Sequence, residues 1–180
     1  MSQLVVQMHG EPGSGKSTVA RAIAPRIGAV VLDKDVIKAA LLRAGIDEGR
    51  AGPAAYFAQA ESIVELGHSL ILDNPVFWAT VEQRWLAICE RANSHAVLIE
   101  CVCGDEAELR RRLTTRDALE SQPRAPLELT RHPGAAATSF QPRLVVDTTR
   151  PLAESVDEAL AYISADIALP SLQQVATGRS

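Results

Sequence analysis

The chain has 180 residues, 47% of them apolar and 22% charged, with a formal net charge of −4. This is the make-up of a globular chain of about one domain, and it does not advertise the broad basic surface that a nucleic-acid-binding protein presents, although local basic clefts stay open. No apolar run reaches the ~20 residues of a membrane-crossing helix, and the glycine-rich motif from Gly10 leaves no room for a secretory leader, so a cytoplasmic protein without membrane contact is expected.

The first element is the apolar run Leu4–Met8, read as a strand, and Gly10-Glu11-Pro12-Gly13-Ser14-Gly15-Lys16-Ser17 follows it directly. This matches G-x-x-x-x-G-K-[ST], and the strand before it and the helix from Lys16 to about Arg26 give the context the motif requires. Glycines let the backbone turn tightly, so that several N–H groups converge on phosphate oxygens. The helix start adds its positive end. Lys16 is then the group that reaches the β- and γ-phosphates, Ser17 a ligand of Mg²⁺, and Thr18 part of the same cradle. A nucleoside triphosphate, ATP with Mg²⁺, is the implied ligand.

A second strand, Ala29–Asp33, runs into LDKDVIK and a helix over Val36–Ala44. Asp33 and Asp35 stand near the C-terminal end of that strand, where open α/β sheets bind ligands. Asp35 has two compatible readings: N-cap of a helix starting at Val36, and the carboxylate that orients or deprotonates an acceptor hydroxyl, with Asp33 as the second choice. Lys38, three residues on, shares its face. A helix over Pro53–Leu66 ends at Gly67, and Tyr56 and Phe57 within it read as core. The third strand, Ser69–Asp73, continues as ILDNPVFW. Asp73 is placed to help hold Mg²⁺. Asn74 follows it, where ATP-driven motors often carry a water-activating Glu, and no N-K-x-D guanine motif occurs. A motor and a GTPase are therefore disfavoured, and transfer of the γ-phosphoryl group to a bound acceptor remains. Asn74, Phe77, Trp78 and Arg84 are the candidate acceptor contacts, with Glu61 a further polar one. A pocket of aromatic and a few polar groups suits a small acceptor better than a polynucleotide end.

A helix over Trp78–Ala92 and a strand over Ala96–Val102 follow. Cys101 and Cys103 lie two apart at its end, on one face, and with Cys89 read as small core residues in a reducing compartment. His9, His68 and His95 read as structural. Asp105–Glu120 is helical, and 100° per residue brings Arg112 and Arg116 about 40° apart beside the Leu109/Leu113 stripe. That pair is placed to lean over a nucleotide, while Arg110 and Arg111 face solvent. Ser121–Arg143, rich in Pro, Gly and small residues, is a long loop of the lid kind. The strand Arg143–Asp147 and the helix Leu152–Ile163 close the domain. Strand–helix alternation with doubly apolar strands predicts a three-layer α/β/α fold with a parallel sheet. One domain over residues 1–168, with a lid region at about 110–142 and a tail at 169–180, is expected.

GEPGSGKST, LDKDVIKAAL, ILDNPVF with Arg84 downstream, RRLTTR and LVVDTT occur in the order seen in small P-loop kinases. Over about residues 3–165 the chain resembles the AAA-33-type P-loop kinase-like group, related to polynucleotide kinase, chloramphenicol phosphotransferase, zeta toxin and the gluconate, shikimate and adenylate kinases. The resemblance implies a five-stranded sheet in the order 2-3-1-4-5. It implies that Asp35 is the acceptor carboxylate, that Arg112 and Arg116 embrace ATP from the lid, and that Thr148 and Thr149 border the adenine. Lys38 stands where many relatives carry Arg. The expected activity is a kinase acting on a hydroxyl of a small molecule, as monomer or homodimer. A regulatory nucleotide-binding protein with little transfer, or a polynucleotide 5′-hydroxyl kinase, is the alternative.

Overall fold

The computed structural model describes residues 3–75, 79–122, 140 and 142–167. Within them five strands form one parallel sheet: β1 (Leu4–His9), β2 (Ala29–Asp33), β3 (Ser69–Asp73), β4 (His95–Val102) and β5 (Leu144–Asp147), in the order β2-β3-β1-β4-β5. The helices are α1 (Lys16–Ile27), α2 (Lys34–Arg43), α3 (Glu48–Glu65), α4 (Ala79–Ala92), α5 (Glu106–Thr115) and α6 (Leu152–Ile167). The expected sheet and its strand order are both present.

The apolar runs are explained by what covers them. On one face Val6, Met8, Ile71, Ile99 and Val146 pack against Val19 and Ile23 of α1 and Val156, Ala159 and Ile163 of α6. On the other, Val5, Leu70, Leu72 and Leu98 meet Tyr56, Phe57 and Val64 of α3 and Trp85 and Ile88 of α4. Tyr56 and Phe57 are core residues, as their sequence suggests, edge to face with centroids 5.3 Å apart. Burial pushes the Cys89 and Cys101 thiols up to about 12, as expected of inert core residues. Cys103 departs from the expectation: β4 stops at Val102, and Cys103 lies half-buried beside Leu109 and Leu113, its thiol 3.4 Å from the Asp105 carbonyl oxygen. His95 is buried with Nδ1 3.5 Å from Asp166, and His68 is exposed.

Three helix boundaries differ from the sequence reading for a plain local reason, and α6 also runs on to Ile167 rather than ending at Ile163. α2 starts two residues early because Asp33, not Asp35, is its N-cap, its carboxylate accepting from the Asp35 N–H at 2.9 Å. α3 starts at Glu48 because Asp47 caps it through the Gly49 N–H at 2.9 Å, which places Pro53 inside the helix. α5 ends at Thr115, with Arg116 in extended conformation, rather than running on to Glu120. The proposed acceptor contacts Phe77 and Trp78, most of the lid and the tail lie outside the described residues. No helix among the described residues is long and apolar enough to cross a membrane.

Trp85 is fully buried, and its Nε1 lies 3.4 Å from the Val5 carbonyl oxygen at the centre of the sheet. Trp85→Ala is expected to destabilise the fold by about 3–5 kcal/mol, whereas Leu66→Ala, at a position 73% exposed, stays within ~0.5 kcal/mol. Urea unfolding of the two variants measures the contrast.

Candidate functional site

β1 lies inside the sheet between β3 and β4, and the loop after it packs closely against β4. Gly10 has φ +133°, and a Cβ there would run into the Cys101 carbonyl oxygen of β4. Gly15 has φ +87° and forms the entry to α1. No side chain caps that helix, so its first N–H groups stay available to a ligand, and its first turn carries no acidic residue. Lys16 curls back over the loop, donating to the Glu11 carbonyl oxygen at 3.1 Å. The Ser14 hydroxyl is buried in the same loop with no partner.

A cavity of about 1020 Å³ opens in front of this loop. Its wall takes Pro12, Gly13, Gly15, Lys16, Ser17 and Thr18 from the loop and α1, Lys34, Asp35 and Lys38 from α2, and Asp73 from the end of β3. Arg111, Arg112 and Arg116 line it from α5 and its end, and Thr148, Arg150 and Ser155 from beyond β5. The loop lysine, the α2 carboxylate, the β3 carboxylate and the α5 arginines therefore share one space, although they come from four separate stretches of chain.

Burial dominates the electrostatics of the floor. It lowers the Lys16 ammonium pKa, and Asp73 pulls it back up. It raises the Asp73 carboxyl, opposed by Lys16 and by a hydrogen bond from the Ser17 hydroxyl. Asp73 is only 4% exposed, and its Oδ2 has no hydrogen-bond partner. An orphaned carboxylate oxygen beside a serine hydroxyl is a hard-oxygen donor set of the kind Mg²⁺ takes when phosphates supply further ligands.

Asp35 is in a different state. Burial pushes its carboxyl up, but Lys34, whose Nζ is 2.6 Å from Oδ1, a hydrogen bond from Gln122 and the charge of Lys16 together hold it below the usual carboxylate range. The group is ionised and directed at the cavity. Asp33 is occupied otherwise: besides capping α2 it takes Arg21 Nη2 at 3.0 Å, and it does not line the cavity. Lys38 does line it, tied to Glu48 at 2.8 Å rather than to Asp35.

On the far wall Arg112 is a clamp. Its Nη1 donates to the Thr148 hydroxyl at 2.9 Å, Nη2 to the Thr148 carbonyl at 2.7 Å and Nε to Glu108 at 2.8 Å, and Nη1 also lies 3.4 Å from the Gly13 carbonyl. The Thr148 hydroxyl sits 2.8 Å from the Ser14 carbonyl oxygen. Arg112 and Thr148 thus bind the phosphate loop to the end of β5. Thr149 turns the other way, its hydroxyl donating to Asp147 at 2.8 Å. Arg111, expected to face solvent, pairs with Glu108 at 2.6 Å and still rims the cavity, because α5 presents its Arg111–Arg112 edge to the loop. Both arginines hold the Glu108 carboxyl at about 2.

Not every candidate converges. Arg84 lies on the opposite side of the sheet, its guanidinium 4.5 Å over the Phe57 ring, and Glu61 pairs with Arg91 at 3.1 Å. Asn74 is buried outside the cavity wall, with its carbonyl taken by Gln7 Nε2. Gly10, Glu11 and Ser14 shape the loop without lining the cavity. His9 is buried beside Glu100, its pKa lowered by that burial. Lys34 and Gln122 were missed by sequence reasoning. Lys34 adjoins Asp35 and was open to inspection; Gln122 lies 87 residues from its partner, and no local pattern announces it.

Comparisons with known proteins agree with this geometry. The chain is 32% identical over 109 residues to uncharacterized proteins of Mycobacterium tuberculosis and Mycobacterium bovis, a match covering 52% of this chain and 22% of each relative, so it spans about a fifth of their length. Among solved structures it resembles a candidate kinase from Chloroflexus aurantiacus (TM-score 0.69, 24% identity, covering 92% of this chain and 98% of that one). It also resembles a gluconokinase from Sinorhizobium meliloti (TM-score 0.62, 20% identity, 91% and 93%) and the Mycobacterium tuberculosis APS kinase (TM-score 0.61, 19% identity, 91% and 98%). The model of the AAA_33 family, an AAA domain, matches residues 5–132, most of the chain, and with the phosphate loop, the strand order and the cavity already in place, the chain belongs to that family.

Proposed function

We propose that this protein is an ATP-dependent phosphotransferase that moves the γ-phosphoryl group of Mg-ATP to a hydroxyl of a small acceptor. The observation that carries the reading is the ionised Asp35 facing the same cavity as Lys16, with the α5 arginines on the opposite wall. A protein that only bound or hydrolysed the nucleotide has no use for a second ionised carboxylate held there by its own lysine. The likeness to a gluconokinase and an APS kinase supports the same reading.

In this reading the loop N–H groups and the start of α1 hold the phosphates, and Lys16 follows the γ-phosphoryl group as charge shifts toward the leaving oxygen. Ser17 and Asp73 would hold Mg²⁺, which would supply charge neutralisation to the phosphates. Arg116 and Arg111 bring further positive charge from the rim. Asp35 accepts the hydrogen bond of the acceptor hydroxyl and points its oxygen at the γ-phosphorus. The new P–O bond forms as the bond to the β,γ-bridging oxygen breaks, and the hydroxyl proton passes to Asp35 as the acceptor oxygen gives its lone pair to phosphorus and turns acidic. A carboxylate held below its usual pKa is a weak base, so it orients first and takes the proton late.

Two substitutions separate the roles. Lys16→Ala is expected to lower turnover by about 10²–10³-fold, the usual loss for a preorganised charge-stabilising group. Asp35→Asn keeps the shape, and kcat for the acceptor reaction falls by about 10²–10⁴-fold while the Kd for a non-hydrolysable Mg-ATP analogue changes by no more than about twofold. The decisive experiment offers γ-labelled ATP with Mg²⁺ and a panel of sugars, sugar acids, nucleosides, aminoglycosides and 5′-hydroxyl oligonucleotides. Label on none of them, together with water hydrolysis indifferent to Asp35→Asn, overturns the kinase reading. Label on the oligonucleotides alone assigns the polynucleotide alternative.

A further inference from the structure

The turn that follows α5 docks on the N-terminus of α2 with more order than a passing loop needs. Ser121 Oγ donates to the Asp35 carbonyl oxygen at 2.6 Å, and Gln122 Nε2 to the Asp35 carboxylate at 3.2 Å. The Gln122 amide is itself fixed from behind: its Oε1 accepts from the Leu119 N–H at 3.2 Å, and the Gln122 N–H returns to the Leu119 carbonyl at 2.9 Å. Oxygen toward Leu119 and nitrogen toward Asp35 is the orientation that uses both ends. Leu119, Ser121 and Gln122 all line the nucleotide cavity. With Lys34 on Oδ1 and Gln122 on Oδ2, both carboxylate oxygens of Asp35 are steered, and each keeps a lone pair for a further donor.

From this we infer that Gln122 is a positioning residue for the transfer step. It sets the direction of the Asp35 carboxylate, and through the turn it makes that direction depend on α5, the helix that carries Arg111 and Arg112. The nucleotide wall and the acceptor carboxylate are thereby joined by one side chain, so the acceptor site is complete only while the end of α5 is seated. This rests on the phosphotransferase reading for its consequence, but the contact itself can be tested without any acceptor.

Gln122→Glu isolates the contact. The new side chain keeps an oxygen for the Leu119 N–H and replaces the donor with a second carboxylate against Asp35. The charged and titratable groups around Asp35 are Lys34 on its own helix, Lys16 from α1, Asp33 at the end of β2, Asp73 at the end of β3 and Tyr56 from α3. None of them changes in the variant. Titration of the ¹³C-labelled Asp carboxyls is expected to show Asp35 ionising below the ordinary range in the wild type and clearly higher in Gln122→Glu, because two adjacent carboxylates cannot both ionise freely. For any acceptor labelled in the panel, kcat is expected to fall roughly tenfold to a hundredfold at about pH 8, the worth of one hydrogen bond to a charged group. It recovers toward about pH 5.5 as the carboxyl pair holds a shared proton, while binding of the Mg-ATP analogue is unaffected. Gln122→Ala gives the same loss without the recovery. An Asp35 titration unchanged in Gln122→Glu overturns the inference whatever the panel shows. An altered titration with no labelled acceptor, and with water hydrolysis indifferent to Asp35→Asn, leaves the positioning contact standing and overturns the phosphotransferase reading instead.

Discussion

A lysine ammonium and an aspartate carboxylate share the floor of the cavity, and burial works against the charge of both. Lys16 is pushed toward its neutral form and Asp73 toward its protonated one, and each is the other's main opposing influence. Two partly desolvated charges of this kind are tolerated where further charge-assisted bonds complete them. Here the completing bonds within the chain are few: the Glu11 carbonyl for Lys16 and the Ser17 hydroxyl for Asp73, with one oxygen of Asp73 left over. The floor suits a partner that brings negative charge to the lysine and positive charge to the carboxylate together, as the Mg-ATP of the proposed function would.

The rest of the architecture keeps that floor in register. β1 delivers the loop from the middle of the sheet, β3 delivers Asp73 from the adjacent strand, and their parallel pairing puts both at the same end. The loop could still drift on its glycines. It is stopped by β4, whose Cys101 carbonyl allows no side chain at Gly10, and by the Arg112–Thr148 clamp, which fastens Gly13 and Ser14 to the end of β5. Arg112 spends its guanidinium edge on this clamp. Its direct part in the site is to fix the loop, while Arg111, paired with Glu108, and Arg116 line the cavity rim.

What was legible in the sequence follows the range of the interactions. The phosphate loop and the order of elements were legible because glycine spacing, apolar runs and helix starts are local. The fold followed from strands apolar on both faces, which only a covered parallel sheet accommodates. Around Asp33 and Asp35 the sequence left two roles and two residues. A shift of the α2 start by two residues divides them: Asp33 becomes the cap and Arg21's partner, and Asp35 turns to the cavity. Arg84 stacks on Phe57 and does not line the cavity, because its position in a helix says nothing about which side of the sheet that helix covers. Gln122 could not be found at all, since its role exists only once a turn after the fifth helix meets the start of the second.

Net charge was the weakest guide, and the structure explains why. The chain carries 18 basic and 22 acidic residues, yet the cavity wall holds eight of the basic ones (Lys16, Arg21, Lys34, Lys38, Arg111, Arg112, Arg116 and Arg150) against four acidic ones (Asp35, Asp73, Glu108 and Asp117). Among the described residues positive charge is gathered into a concave, partly desolvated space, while the charged residues outside it are mostly acidic. Such a distribution draws in an anion small enough to enter and repels a polyanion that must also lie along the outer surface. A nucleic acid strand meets the whole field; a nucleoside triphosphate and a compact acceptor meet only the cavity. The same uneven distribution hides a basic, concave site behind a net charge of −4.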